Sequence, residues 1–247
     1  MFIFLKSKKN GLKVKLTSEI RLDQALADAG IENPASVEKL TVTGNLVRAD
    51  FKFLRKKMGK TLQILDMSNA SFENNKLIRG AFSNCIALTS ITIPASTTEI
   101  GDGAFRNCAG LASFTIPNSV TRIGELAFWG CTGLTSVDIP DSVVYIEFRA
   151  FNNCTGLTSI VIPGSVVKIA GSAFGNCTGL TSVIIPNSVI EIGNGAFSNC
   201  TSLTSVTIPE SATKIGDWLF ENCDTLVTVH PDNPCYADED GKLVMKV

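Results

Sequence analysis

From Leu88 onward, apolar and polar positions repeat every 23 residues without a gap. Six consecutive units read LTSITIPASTTEIGDGAFRNCAG, LASFTIPNSVTRIGELAFWGCTG, LTSVDIPDSVVYIEFRAFNNCTG, LTSIVIPGSVVKIAGSAFGNCTG, LTSVIIPNSVIEIGNGAFSNCTS and LTSVTIPESATKIGDWLFENCDT, and Leu226 starts a seventh. Positions one, four and six of each unit are apolar, as in Leu134, Val137 and Ile139, with mostly Ser or Thr between them. That alternation predicts a strand with one face buried and one in water. Pro at position seven has no N–H to give a ladder, so it ends the strand in every unit. A second short alternating stretch follows, Val143 and Ile146 in the third unit, and then a frequent Gly and an AFxNC tract. The tract is too short for more than one helical turn.

A fixed period between about 20 and 50 residues dictates architecture more strongly than local propensity does. The L-x-x-L-x-L strand predicts an α/β repeat, a leucine-rich-repeat solenoid. Its expected form is a right-handed β/α coil stack with a parallel β-sheet, short second strands and short helical turns, capped at both ends. With parallel neighbours about 4.8 Å apart, eight or nine coils make a rod of roughly 40 Å. The Phe column, Phe82, Phe105, Phe128, Phe151, Phe174, Phe197 and Phe220, is expected to stack inside as its largest core element. Residues 1–36 are read as an N-terminal cap, with a strand at Leu12, Val14 and Leu16 and an amphipathic helix after Ser18 carrying Leu22, Ala25, Leu26 and Ala29. Residues 37–87 hold irregular repeats, with strands at Val37–Val42 and Leu62–Met67 joined by a helix around Phe51, Phe53, Leu54 and Met58. Residues 88–229 are the regular repeats. Residues 230–247, with Asn-Pro and Asp-Gly turn signals and apolar Leu243 and Val244, form a C-terminal cap or hairpin.

The cysteines first suggest chemistry, because seven of eight recur at the period: Cys85, Cys108, Cys131, Cys154, Cys177, Cys200 and Cys223. Ligand spacing such as CxxC is absent and His230 is the only histidine, so no metal site is expected. Side chains in register on stacked coils run parallel, nearly 5 Å apart, whereas a disulfide needs Cβ atoms about 3.8 Å apart. Each thiol is therefore read as a small buried hydrophobe donating weakly to a neighbouring carbonyl. Cys235 lies outside the column and is the candidate for oxidation or dimerisation. His230 has no nucleophile context, Asp238-Glu239-Asp240-Gly241 lacks the ligand alternation of a calcium loop, and no Gly-rich phosphate loop precedes a helix. No enzyme activity and no cofactor are expected.

Net charge is −1, but residues 1–61 carry 13 Lys/Arg against 6 Asp/Glu. Lys52, Arg55, Lys56, Lys57 and Lys60 are read as the solvated face of the joining helix. No apolar run is long enough to cross a membrane. In the opening MFIFLKSKKN, four apolar residues after Met1 precede the lysines, too few and in the wrong order for a signal-peptide core. Either the chain is cytoplasmic or a targeting segment lies outside it.

In a solenoid, residues that break a solvent-facing column are the informative ones. Arg122, Trp129, Tyr145, Phe148 and Arg149 replace small or polar residues in adjacent coils and are the leading candidates for partner binding, since Trp, Tyr and Arg are enriched at interface hot spots. Their alternative role is as local lids over the turns. A weaker candidate is the apolar spot Val161 and Ile184 on the strand face, among Thr92, Thr115, Asp138 and Thr207.

The unit resembles, almost letter for letter over residues 77–229, the BspA-like (Treponema-type) leucine-rich repeat LTSVTIPNSVTEIGDGAFSNCTG. The segment LTVTGNLVRADFKFLRKKMGKTLQILDMSNASF is similar to the N-terminal region of such proteins from gut Bacteroidetes, and NPCYADEDGKL resembles their usual ending. The resemblance implies a secreted or outer-surface protein, some relatives being adhesins for host matrix proteins or other bacteria, with no catalytic residues to transfer. Exported relatives begin with a signal peptide, which this sequence does not show. The expectation is a monomeric, non-catalytic binding protein presenting its wall to a protein or glycan, with no nucleic-acid partner. A structural spacer without a ligand is the alternative.

Overall fold

The computed structural model describes residues 11–246; the MFIFLKSKKN opening lies outside the described residues. The chain coils into a solenoid whose front wall is a succession of short parallel strands. It begins with β1 (Leu12–Lys15), β2 (Lys39–Leu46) and β3 (Ile64–Asp66) and continues through three- and four-residue strands such as Ser136–Asp138 and Ser205–Ile208. Register is in phase, with Ile160 opposite Val183 and Val161 opposite Ile184. Leu, Val and Ile of the strand columns are buried while Thr and Ser face out, as the alternation requires. The outward Thr hydroxyls still bond: Thr135 Oγ1 donates to Ala112 O (3.1 Å) and Thr181 Oγ1 to Thr158 O (3.0 Å), each closing a carbonyl of the coil before.

The second alternating stretch forms two-residue strands, such as Tyr145–Ile146, that join into a seven-stranded parallel wall. The third side contains no helix, although the AFxNC tract could have made one turn. Its N–H groups alternate between two kinds of acceptor. Ala127, Trp129 and Cys131 donate within their coil, to Gly124, Leu126 and Phe128, whereas Leu126, Phe128 and Gly130 donate to Phe148, Ala150 and Asn152 of the next coil. Two left-handed residues per coil impose this. One is the Asn or Gly before Cys, as at Asn107 (φ 58°), Gly130 (φ 72°) and Asn153 (φ 61°), and Asn and Gly tolerate that region best. The other lies four residues earlier and is occupied by Gly103, Leu126, Arg149, Ser172, Gly195 and Trp218.

The interior is one continuous apolar column. Phe82 through Phe197 are at most 1% exposed, and successive rings from Phe105 to Phe197 lie 5.1–5.4 Å apart and within 11° of parallel. Phe220, at the end, is only partly buried. Close stacking leaves little room between coils: a Cβ on Gly156 would sit 2.5 Å from the carbonyl oxygen of Thr132.

Helices are confined to the N-terminal end of the stack among the described residues. The helix expected after Ser18 begins only at Leu22, because Thr17 Oγ1 holds the N–H groups of Glu19 and Ile20 in a turn. This helix, α1 (Leu22–Asp28), packs beside α2 (Arg48–Phe53), which continues as a π-helical turn through Met58. Asp50, 1% exposed, caps both: it accepts from Leu22 N at 2.9 Å, Val47 N at 2.9 Å and Arg21 Nη1 at 3.1 Å. At the other end an antiparallel hairpin, Tyr236–Glu239 with Lys242–Met245, turns at Asp240-Gly241. Buried Asn233 fastens it, donating to Pro209 O and Ala212 O and accepting from the N–H groups of Cys235 and Tyr236.

Candidate functional site

Stacking at a 23-residue period places equivalent residues side by side, so one column of the second wall runs Lys76, Glu99, Arg122, Tyr145, Lys168, Glu191, Lys214. Opposite charges alternate along it and pair: Lys76 with Glu99 at 2.8 Å, Arg122 with Glu99 at 2.8 Å, Lys168 with Glu191 at 2.6 Å. The Lys76 ammonium, and behind it the Arg122 guanidinium, hold the Glu99 carboxyl below its ordinary value. Arg122 also meets Asp102 at 3.1 Å and Glu147 at 3.5 Å. Three acids from the two flanking coils, Glu99 and Asp102 before it and Glu147 after it, thus occupy its guanidinium, and it organises the wall rather than offering a free cation.

Tyr145 interrupts this ladder between Arg122 and Lys168 and stays 49% exposed. Phe148, three residues on, is 41% exposed, with the Arg149 guanidinium 4.8 Å from its ring centroid. The Phe148 ring lies over Gly171 of the next coil, at ordinary contact distance from where a Cβ would stand (3.5 Å). Arg149 holds a left-handed backbone (φ 54°) that a bulky residue adopts only at a cost of roughly 1 kcal/mol or more. Trp129 is half-buried and is covered by Arg106, whose guanidinium stands 4.9 Å from the ring centroid. The expected five therefore divide: Tyr145, Phe148 and Arg149 form an exposed aromatic and cationic corner, Arg122 is its ion-paired neighbour, and Trp129 belongs to a separate pair with Arg106. On the front wall Val161 and Ile184 lie opposite one another, 68% and 69% exposed.

Sequence reasoning passed over Trp218. It is 65% exposed with φ 55°, at the position where Gly80, Gly103 and Gly195 stand in other coils, and it borders a groove of about 410 Å³ with Leu219, Phe220 and Leu243. A Trp in a column that favours Gly was the available signal. Trp218→Gly should raise stability by up to about 1 kcal/mol, the left-handed strain relieved less the entropy Gly adds to the unfolded chain. A urea melt showing destabilisation would mean the ring contributes packing that outweighs its strain.

The column thiols are sequestered. Sγ of Cys108, Cys131, Cys154, Cys177 and Cys200 donates to the carbonyl of the Phe 26 residues earlier, at 3.1–3.2 Å. Cys235 is half-buried, its N–H bonded to Asn233. His230 Nδ1 lies 3.9 Å from both Glu210 and Asp232 carboxylates, the one His and acid grouping among the described residues that could hold a metal. The Asp232 N–H already approaches that nitrogen at 3.3 Å.

The BspA-type leucine-rich repeat region matches this sequence in six copies, over residues 75–180 and 167–236. Among solved structures, a leucine-rich repeat protein from Bacteroides ovatus is similar at 24% identity, with 91% of this chain and 69% of that one covered and a TM-score of 0.64. A leucine-rich repeat protein of T. pallidum is similar at 24% identity over 73% of this chain and 79% of that one, with a TM-score of 0.58. A pneumococcal vaccine antigen is similar at 28% identity over 63% of this chain and 40% of its own length, with a TM-score of 0.54. No curated protein matches the sequence.

Proposed function

Since the chain belongs to the BspA-type leucine-rich repeat family, we propose that it is a non-catalytic binding protein, secreted or held at the cell surface, that captures a protein or glycan on its second wall. The observation that carries this is the exposure of Tyr145 and Phe148, 49% and 41%, where the Tyr145 column is otherwise made of charged residues, several of them ion-paired. A rigid aromatic pair with a guanidinium beside it loses little conformational entropy on binding and offers both an apolar face and hydrogen-bond donors. The likeness to a vaccine antigen supports placement outside the cell, and the family supports protein binding.

The test is capture of immobilised extracellular-matrix proteins and of a glycan array by the full chain and by a Tyr145→Ala/Phe148→Ala variant. Loss of both anchors should weaken capture about thirtyfold or more, the scale of hot-spot truncation. Because both side chains are exposed, the melting temperature should hardly move. Equal capture by the variant would refute this site, and no capture by the parent protein would favour a spacer.

A further inference from the structure

We infer that the N-terminal end of the solenoid carries a second, separate binding site, a groove between α1 of the cap and α2 of the irregular repeats that takes an acidic polysaccharide through its sulfate or carboxylate groups. The groove, about 310 Å³, is lined by Arg21, Asp23, Ala49, Lys52, Phe53, Lys56 and Lys57, with the buried, ion-paired Asp50 among them. This volume is at the lower end of ordinary ligand sites, roughly 300 to 1,000 Å³.

Its charge is not of the structural kind found along the coils. There, Lys76, Arg122 and Lys168 each lie against an acid one coil away. On α2 and the turn that continues it, Arg48, Lys52, Lys56, Lys57 and Lys60 are exposed, and none has an ion-pair partner among the described residues. Arg48, Lys52 and Lys56 follow at four-residue spacing and share a helix face. Five unneutralised cations on a helix and turn of this length raise its self-repulsion, which a bound polyanion relieves. A second observation is independent of charge. The Nε–H of Arg21, which lines the groove, is buried without an acceptor, while Nη1 of the same guanidinium is bonded to Asp50 at 3.1 Å and Asn45 O at 3.3 Å. A buried donor without a partner is costly, and a small shift of the guanidinium toward the groove would let an incoming oxygen satisfy it.

Phe53 points to the class of polyanion. It is a half-buried ring among lysines, so a sugar can lay its C–H face on the ring while its charged substituents meet the ammonium groups. A membrane surface fits less well. The large apolar residues Phe51, Leu54 and Met58 face inward, leaving the helix no apolar face to insert.

The experiment is titration of the full chain with a heparin-derived decasaccharide, its desulfated counterpart, phosphatidylserine vesicles and a DNA duplex at several salt concentrations. The sulfated sugar should bind at least about tenfold more tightly than each of the others. Lys52→Glu/Lys56→Glu/Lys57→Glu should abolish that binding, and the milder triple change to Gln should weaken it and lower the salt dependence by roughly the number of cations removed. Both variants should melt like the parent protein, since these side chains are exposed, and Tyr145→Ala/Phe148→Ala should bind the sugar normally. Binding that survives charge reversal overturns the assignment. So does equal affinity for vesicles or duplex, which would make the patch a nonspecific cationic surface, and so does a parent protein that ignores the sulfated sugar.

Discussion

Raising the pH should unfold the protein cooperatively between about pH 10 and 11, with several protons released at once. Six thiols, Cys85, Cys108, Cys131, Cys154, Cys177 and Cys200, are at most 4% exposed. Burial pushes Cys85, Cys131 and Cys177 from the ordinary 9.0 up to about 12, and it pushes Cys108, Cys154 and Cys200 upward as well. Below pH 9 both native and unfolded thiols hold their protons, and the contribution to stability is complete. Above it the unfolded chain gives up protons that the native chain retains, so stability falls as pH climbs toward the native values. At pH 10 the loss is about 1.4 kcal/mol per thiol, about 8 kcal/mol for six, against a total of about 5–15 kcal/mol for an ordinary domain. Thiolate absorbance should therefore appear together with the loss of circular dichroism. Thiolates forming near pH 9 in an intact fold would show that the column is open to water. Cys131→Ala/Cys154→Ala/Cys177→Ala should move the alkaline midpoint upward even though it costs some packing at neutral pH.

That column was legible in the sequence because periodicity states which residues are equivalent, and equivalent residues in a solenoid are neighbours. The same arithmetic accounts for the Phe stack, the strand faces and the facing pair Val161 and Ile184. It could have gone further. Arg122 with Glu99 and Trp129 with Arg106 are each 23 residues apart, so their pairing was already implied by the period. Two kinds of feature were less accessible. Backbone conformation on the third side depends on two left-handed positions per coil: the Asn or Gly before each Cys announces one, but the sequence fills the other with residues as different as Gly103, Leu126, Arg149 and Trp218. The caps obey no period: Asp50 joins Leu22 and Val47, and Asn233 joins Pro209 and Tyr236, through contacts that only the folded chain creates. The aromatic corner was legible as a departure from the repeat, but its division between exposed Tyr145 and Phe148 and covered Trp129 depends on Arg106, whose guanidinium lies across the Trp129 ring from the coil before.

Phe151→Ala should cost about 3–5 kcal/mol, the range for truncating a buried aromatic when its surroundings cannot close the void. Relaxation is restricted here. Phe128 and Phe174 lie 5.1 and 5.4 Å away with ring planes within 2° of parallel, and each is itself held by the next ring and by its own coil. To fill the gap two coils would have to approach, yet their spacing is set by backbone bonds such as Phe128 N to Ala150 O and Phe151 N to Ala173 O, both 2.8 Å. Because each coil touches only its neighbours, the lost energy is concentrated at one joint of the stack. The urea transition should shift to lower concentration and broaden or split as the halves on either side of the joint separate. Phe220→Ala supplies the comparison: that ring has one ring neighbour, at 5.9 Å, and is only partly buried, so its loss should be well under that of Phe151. Equal costs at the two positions would mean the stack does not act as a chain of nearest-neighbour contacts, and a cost below about 1 kcal/mol at Phe151 would mean the coils can close the void after all.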